Sequence, residues 1–298
     1  MSRLEKAMEM AARQRQTLAV DAVPMAVEND PNEPVAEASQ EPSAPQPVAV
    51  SSAAESDAID ELFASVPQPL IENPFLVTAS DESGPAAEQY RKLKSAIVKF
   101  AQLGRFDKSL MVTSAIGGEG KTLTSLNLAI TLAQEFDHTV LLVEADIRRP
   151  TIMQYLHMEA SVGLTDCVLD GLDVGQALVK TGIGKLTVLP AGRRVPNPVE
   201  LFSSNRMQEL LDELKSRYPD RYVIVDTTPI LPFAEPQYIA SGVGGVLFVV
   251  REGYTALDKV NKALALLKNH NLLGVVCNGV SLIHGSGATG YYGYYGYK

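Results

Sequence analysis

Three glycines in the stretch Thr113-Ser-Ala-Ile-Gly-Gly-Glu-Gly-Lys-Thr122 constrain this chain more than any other feature. An apolar run of strand length, Ser109–Ser114, precedes them, and a segment with helical spacing, 121–136, follows. Glycines at 117, 118 and 120 let the backbone turn so that successive N–H groups face inward. The helix N-terminus beyond them adds partial positive charge, which makes an anion cradle. In such a cradle Lys121 reaches the β- and γ-phosphates of a nucleotide and the Thr122 hydroxyl can hold Mg²⁺. The strand–loop–helix from Leu110 to Glu135 therefore predicts a P-loop for ATP, with Gly117, Gly118, Glu119, Gly120, Lys121, Thr122 and Leu123 as its contact set.

A rhythm continues after it. Apolar runs at 139–145, 185–191, 222–228, 245–250 and 274–278 alternate with helix-spaced segments at 203–217, 234–241 and 255–269. Near-continuous Val, Ile and Leu in a strand mean that both sheet faces are covered, as in a parallel sheet wrapped by helices. The expected fold is a three-layer α/β P-loop NTPase with a mostly parallel sheet. In such a sheet, carboxylates at the C-terminal ends of strands point into the ligand crevice. Two strands end that way, in Glu144-Ala-Asp146-Ile-Arg148 and in Asp226-Thr-Thr-Pro229. Asp226 is placed to hold Mg²⁺ through water, with Thr122 and Asp146 as further metal contacts. Each Asp has a plainer reading as a cap on the turn that follows it. Lys121 and Asp226 are expected to face the pocket rather than the core, so that replacing either removes activity and spares the fold.

Outside this region the composition changes. Residues 2–15 have helical spacing, with Leu4, Met8 and Ala11 or Ala12 on one side. From Gln16 to Gln89 there is no Lys or Arg, and eight of the 18 prolines lie between Pro24 and Pro69. Such a segment buries too little apolar surface to offset its ordering entropy. The expected organisation is an amphipathic helix over 1–15, an acidic Pro-rich linker over 16–87 (a disordered tether to about residue 70), a P-loop domain over 88–282 and a Gly/Tyr-rich tail over 283–298. A net charge of −9 argues against non-specific nucleic-acid binding. Two distant cysteines, Cys167 and Cys277, read as buried thiols in a reducing compartment. No stretch of eighteen apolar residues is present and the charged N-terminus lacks a signal-peptide core. A cytosolic location is expected.

Together, the EGKT loop, the (E/D)xDxRxP strand end, VIVDTTP, Pro196-Asn-Pro-Val-Glu-Leu201 and the tyrosine-rich C-terminus resemble the bacterial tyrosine kinases of exopolysaccharide loci over residues 88–298. The opening SRLEKAMEMAARQR is similar to the soluble form found in exosortase-linked loci. The resemblance implies an autokinase whose targets are Tyr291, Tyr292, Tyr294, Tyr295 and Tyr297, five of the 11 tyrosines, interleaved with Gly293 and Gly296. It implies Lys121, Asp146 and Arg148 in catalysis, with Asp146 or Glu144 taking the tyrosine proton. Asn278 resembles an adenine-reading Asn, although a turn Asn fits as well. Glu88, Arg91 and Lys94 match an interface helix of a ring-shaped homo-oligomer, or form an ordinary solvated ion-pair row. The implied partners are a separate membrane-embedded chain-length-determinant activator and a tyrosine phosphatase, which would place the chain at the inner membrane's cytoplasmic face. The sequence departs from the usual P-loop at Ala115, where a Gly is common. Partition and cell-division-site ATPases carry a second lysine where this chain has Ile116, which counts against a nucleotide-dependent assembly switch without protein phosphorylation.

Overall fold

A computed structural model describes residues 73–80 and 84–280, apart from Phe136 and Pro219. The expected N-terminal helix and the tail tyrosines lie outside these residues, as does most of the linker. Among the described residues seven strands form one sheet: β1 (Ser109–Ser114), β2 (Thr139–Glu144), β3 (Val179–Lys180), β4 (Leu186–Leu189), β5 (Arg221–Asp226), β6 (Gly245–Arg251) and β7 (Leu272–Asn278). Their order is β3-β4-β2-β5-β1-β6-β7. Every pairing is parallel except that of β3 with β4. Each of the six apolar runs became a strand. β3 was not expected, because two residues carry no periodicity. β4 stops at Leu189, before Pro190, which has no N–H to donate to a ladder.

Helices cover both faces: α1 (Val77–Ser80), α2 (Pro85–Gln102), α3 (Lys121–Ala133), α4 (Ile152–Tyr155), α5 (Leu164–Asp170), α6 (Val174–Ala177), α7 (Pro198–Ser203), α8 (Asn205–Ser216), α9 (Glu235–Gly242) and α10 (Leu257–Leu266). Alternate strand residues divide between two cores, as the two-residue period of a strand requires. Met111, Leu141, Val143, Val223 and Val225 pack with α5, α7, α8 and α9. Leu110, Val112, Val140, Leu142 and Ile224 pack on the opposite face against α2 and α3. β1, β2 and β4 are buried along their whole length. Neither face of these strands is left to water.

The packed domain begins earlier than the linker composition implies. α3 carries Asn127 on its outer side, fully buried, and a buried amide needs partners. The segment from Asn73 supplies them. The Thr78 N–H and hydroxyl donate to Asn127 Oδ1 at 3.1 and 3.0 Å, and Asn127 Nδ2 donates to the Phe75 carbonyl at 2.9 Å. Leu76 is fully buried beside them in the α2–α3 core. Residues 73–80 are thus a strap on the helix that starts at the glycine loop, and α2 starts at Pro85 rather than Glu88. A Leu76→Ala chain is expected to lose about 2–5 kcal/mol of stability. The urea midpoint would fall at an unchanged slope, whereas an unchanged midpoint would show that the strap contributes nothing.

Candidate active site

β1 delivers Ser114 to the rim of the sheet, and the chain turns through 115–120 into α3. Gly118 and Gly120 adopt φ of 83° and 89°, the left-handed region that glycine enters without strain. A Cβ on Gly120 would also collide with the Asn278 amide. Ala115 is fully buried in the core, where its methyl group packs. The glycine usual at that position is not required here. Ile116 packs its side chain against the same core and donates its N–H to Glu119 Oε2 at 2.8 Å. It is an apolar anchor at the position where a second lysine would stand.

The Glu119 side chain has a structural part beside its backbone's place in the cradle. It is fully buried and braces the loop. One oxygen accepts from Ile116, and the other accepts the Thr255 hydroxyl at 2.5 Å. Asn278 Nδ2 donates to the Glu119 carbonyl at 2.9 Å, and Arg251 reaches the Gly118 carbonyl at 3.3 Å. The loop is therefore held from the β6 and β7 side. Leu123 lies partly buried against the α2–α3 core, so its part in the cradle is limited to its backbone.

Beyond the loop, charge gathers at the ends of β1, β2 and β5. Lys121 Nζ meets Asp146 Oδ2 at 2.7 Å, with only 13% and 9% of the two side chains exposed. The Thr122 hydroxyl donates to Asp226 Oδ2 at 2.7 Å and the Ser125 hydroxyl to Asp226 Oδ1 at 2.9 Å. Ser125 was missed in the sequence. The signal was its spacing, since a residue three after Thr122 on a helix shares its face. Asp146 Oδ1 also accepts the Arg149 N–H at 3.1 Å, so Asp146 caps its turn and serves the site at once.

Burial works against the Lys121 ammonium, yet Asp226, Asp146 and Glu144 outweigh it and hold its pKa above the usual lysine value. Burial likewise pushes the Asp226 carboxyl upward, against the opposing pull of Lys121, Thr122 and Ser125. One ammonium faces three carboxylates. This oxygen-rich, net-negative set fits a hard divalent cation. Among the described residues no trio of His, Cys, Asp or Glu forms a cage of its own. That is compatible with a cation shared with phosphates.

Glu144 pairs in register with Asp226 across β2 and β5, but its carboxylate turns to backbone. Oε1 accepts the Thr151 and Ile152 N–H groups at 2.5 and 2.6 Å at the start of α4. Arg148 points elsewhere. It donates twice to Glu235 Oε1, at 2.8 and 2.7 Å, and stacks 4.5 Å from the Phe233 ring. On α2, Glu88 and Arg91 pair with one another at 2.8 Å, while Lys94 reaches Glu135 within the same chain at 2.8 Å. Lys94 is thus already engaged inside the subunit.

A parallel sheet wrapped on both faces, a glycine loop opening a helix, and Lys121 and Thr122 facing two strand-end aspartates define a P-loop nucleotide-binding protein. Comparison with known proteins narrows that class. Residues 107–270 match the AAA domain family. Tyrosine-protein kinase YwqD of Bacillus subtilis is 40% identical over 209 residues, 69% of this chain and 86% of its own length. The kinase domain of Escherichia coli tyrosine kinase ETK superposes with a TM-score of 0.64 at 28% identity, over 72% of this chain and 83% of that one. The chimerical protein CapA2B2 superposes with 0.63, also at 28% identity, over 74% and 97%. This chain belongs to the bacterial tyrosine-protein kinases. It is a P-loop enzyme that uses ATP to phosphorylate protein tyrosine.

Proposed function

We propose that the chain is an autokinase that phosphorylates Tyr291, Tyr292, Tyr294, Tyr295 and Tyr297 of a neighbouring copy and thereby regulates exopolysaccharide synthesis or export. The observation that carries the chemistry is the Lys121–Asp146 contact at the mouth of the loop. It puts a cation for the γ-phosphate beside a carboxylate for the acceptor hydroxyl. Phosphoryl transfer has a loose transition state, so the protein mainly positions groups and neutralises charge. Lys121 exchanges Asp146 for γ-phosphate oxygen. Asp146, released, accepts a hydrogen bond from the tyrosine hydroxyl. As the tyrosine O–P bond forms and the bond to the β-phosphate oxygen breaks, the hydroxyl proton passes to Asp146 and ADP leaves. Glu144, committed to the amides of α4, is the weaker candidate for that proton.

Thr122, Asp146 and Asp226 would hold Mg²⁺, which supplies charge neutralisation on the phosphates. Asn278 would read adenine after giving up its bond to the loop carbonyl. Arg148, parked on Glu235, is a rim cation for phosphate or for a subunit contact. Glu88, Arg91 and Lys94 would contribute to a ring of subunits, and a tyrosine phosphatase would reset the tail. Among the described residues no helix is long and apolar enough to cross a membrane. The family resemblance instead suggests a separate membrane-embedded activator that holds the chain at the inner membrane's cytoplasmic face.

Purified chain incubated with γ-labelled ATP is expected to form little phosphotyrosine alone and several-fold more with the activator's cytoplasmic segment. Mass spectrometry should place the label within residues 291–297. ATP hydrolysis with no labelled tyrosine would support the assembly-switch reading instead, and full activity without the segment would remove the activator from the scheme.

A further inference from the structure

Between the ends of β2 and β4 lies a cleft of about 180 Å³, lined by Pro150, Met153, Ala160, Pro190, Ala191 and Gly192, with the exposed Gln154 beside them. An apolar cavity of roughly 150 Å³ holds a benzene ring, so this one is ring-sized. One ionisable group lines it, Glu144, with 2% of its surface exposed. Glu144 Oε1 is used by two short amide contacts, but Oε2 accepts only the Ala191 N–H at 3.4 Å. That long contact leaves Oε2 as an acceptor with capacity for a better donor. A ring-sized cleft with apolar walls, one exposed amide (Gln154) and one buried carboxylate oxygen suits a phenol. The ring fills the space and the hydroxyl makes a charge-assisted bond. An aliphatic side chain lacks the donor, and a phosphorylated tyrosine would bring about −1.5 to −2 charge against a buried anion.

The chain carries such a ligand in quantity. Residues 281–298, which follow Val280, contain five tyrosines separated by at most one glycine. The cleft also adjoins the reacting group. The Arg149 N–H donates to Asp146 Oδ1 at 3.1 Å, and the next residue, Pro150, is part of the cleft wall. A tail laid across this loop presents one tyrosine to Asp146 and has another within a few residues.

We propose that the cleft seats a second, non-reacting tyrosine of a neighbouring copy's tail, through ring burial and a phenol bond to Glu144 Oε2, and that it admits only the unphosphorylated residue. This rests on the reading of the tail as substrate. The cleft would then favour tails that still have work to be done, and a saturated tail would lose its hold.

The test uses the full chain and synthetic peptides of sequence 285–298. Fluorescence anisotropy without ATP reads binding, and label transfer reads KM and kcat. A peptide keeping only Tyr295, with the other tyrosines changed to Ala, is expected to bind about tenfold more weakly, with raised KM and unchanged kcat. A peptide with those four tyrosines phosphorylated should be as weak. Ala160→Trp, at an exposed position, fills the cleft. It should weaken the parent peptide to the same level, leave the single-tyrosine peptide unaffected and preserve ATP binding. Equal binding of parent and single-tyrosine peptides would overturn the cleft while label transfer to both upholds the tail as substrate. Failure of every peptide to bind or accept label would remove both.

Discussion

Lys121→Met is expected to cut phosphotyrosine formation by at least ~10²–10³-fold, the scale seen when one preorganised charge-stabilising donor is removed. Asp226→Asn should match it, because the proposed Mg²⁺ site would lose a carboxylate. The two will differ in what they do to the fold. Lys121 lies against Asp146, both largely buried, with Asp226 and Glu144 close enough to raise its pKa. Removing the one cation strands buried carboxylates, and breaking a buried pair on one side costs about 3–5 kcal/mol. Lys121→Met should therefore melt well below the parent chain, a stability cost that the sequence alone does not disclose. Asn at 226 keeps a polar group for the Thr122 and Ser125 hydroxyls and removes a charge whose burial already disfavours it. Its melting temperature should stay near the parent's or rise. Thermal melts, ATP binding and phosphotyrosine blots on the two variants check this directly. Normal phosphotyrosine in either variant, measured on folded protein, would end the assignment of these residues.

What the sequence disclosed and what it hid follow one division. Signals local in the chain were readable. The apolar runs at 139–145 and 222–228 had to be strands buried on both faces, and their terminal Glu144, Asp146 and Asp226 had to emerge at the ligand end. The glycines at 117, 118 and 120 could be assigned to a loop because strand and helix flank them directly. Pairings made over long separations were not readable. Nothing near Glu119 says that its carboxylate turns inward to Thr255, nor that Arg148 is claimed by Glu235. Lys94 looks like a free surface cation until α3 brings Glu135 beside it. The strap was hidden for the opposite reason. Its surroundings have linker composition, and its partner Asn127 looks like an ordinary polar residue on a helix. Only the fold shows that no solvent reaches that amide.

Phosphorylation of the tail is expected to take subunit assemblies apart. The five tail tyrosines lie outside the described residues, and charge is what changes when they are phosphorylated. Each phosphate adds about −1.5 to −2 at pH 7, so five add roughly −8 to −10 per chain, about doubling a net charge that is already −9. Tails gathered in a ring would repel, and each would be a poorer guest in a site where Lys121 alone faces Asp146, Asp226 and Glu144. Glu88, Arg91 and Lys94, proposed for the ring, already pair within the chain, Glu88 with Arg91 and Lys94 with Glu135, so a ring contact through them must compete with those pairs. The effect should shrink with added salt, because exposed charges are screened beyond about 8 Å at physiological ionic strength. Solution mass should be measured for the unphosphorylated chain, the phosphorylated chain and a chain with all five tail tyrosines changed to Phe. The first and third should assemble alike, and the second should be smaller, most clearly at low salt. A phosphorylated form as large as the Phe variant at low ionic strength would show that charge on the tail does not control assembly.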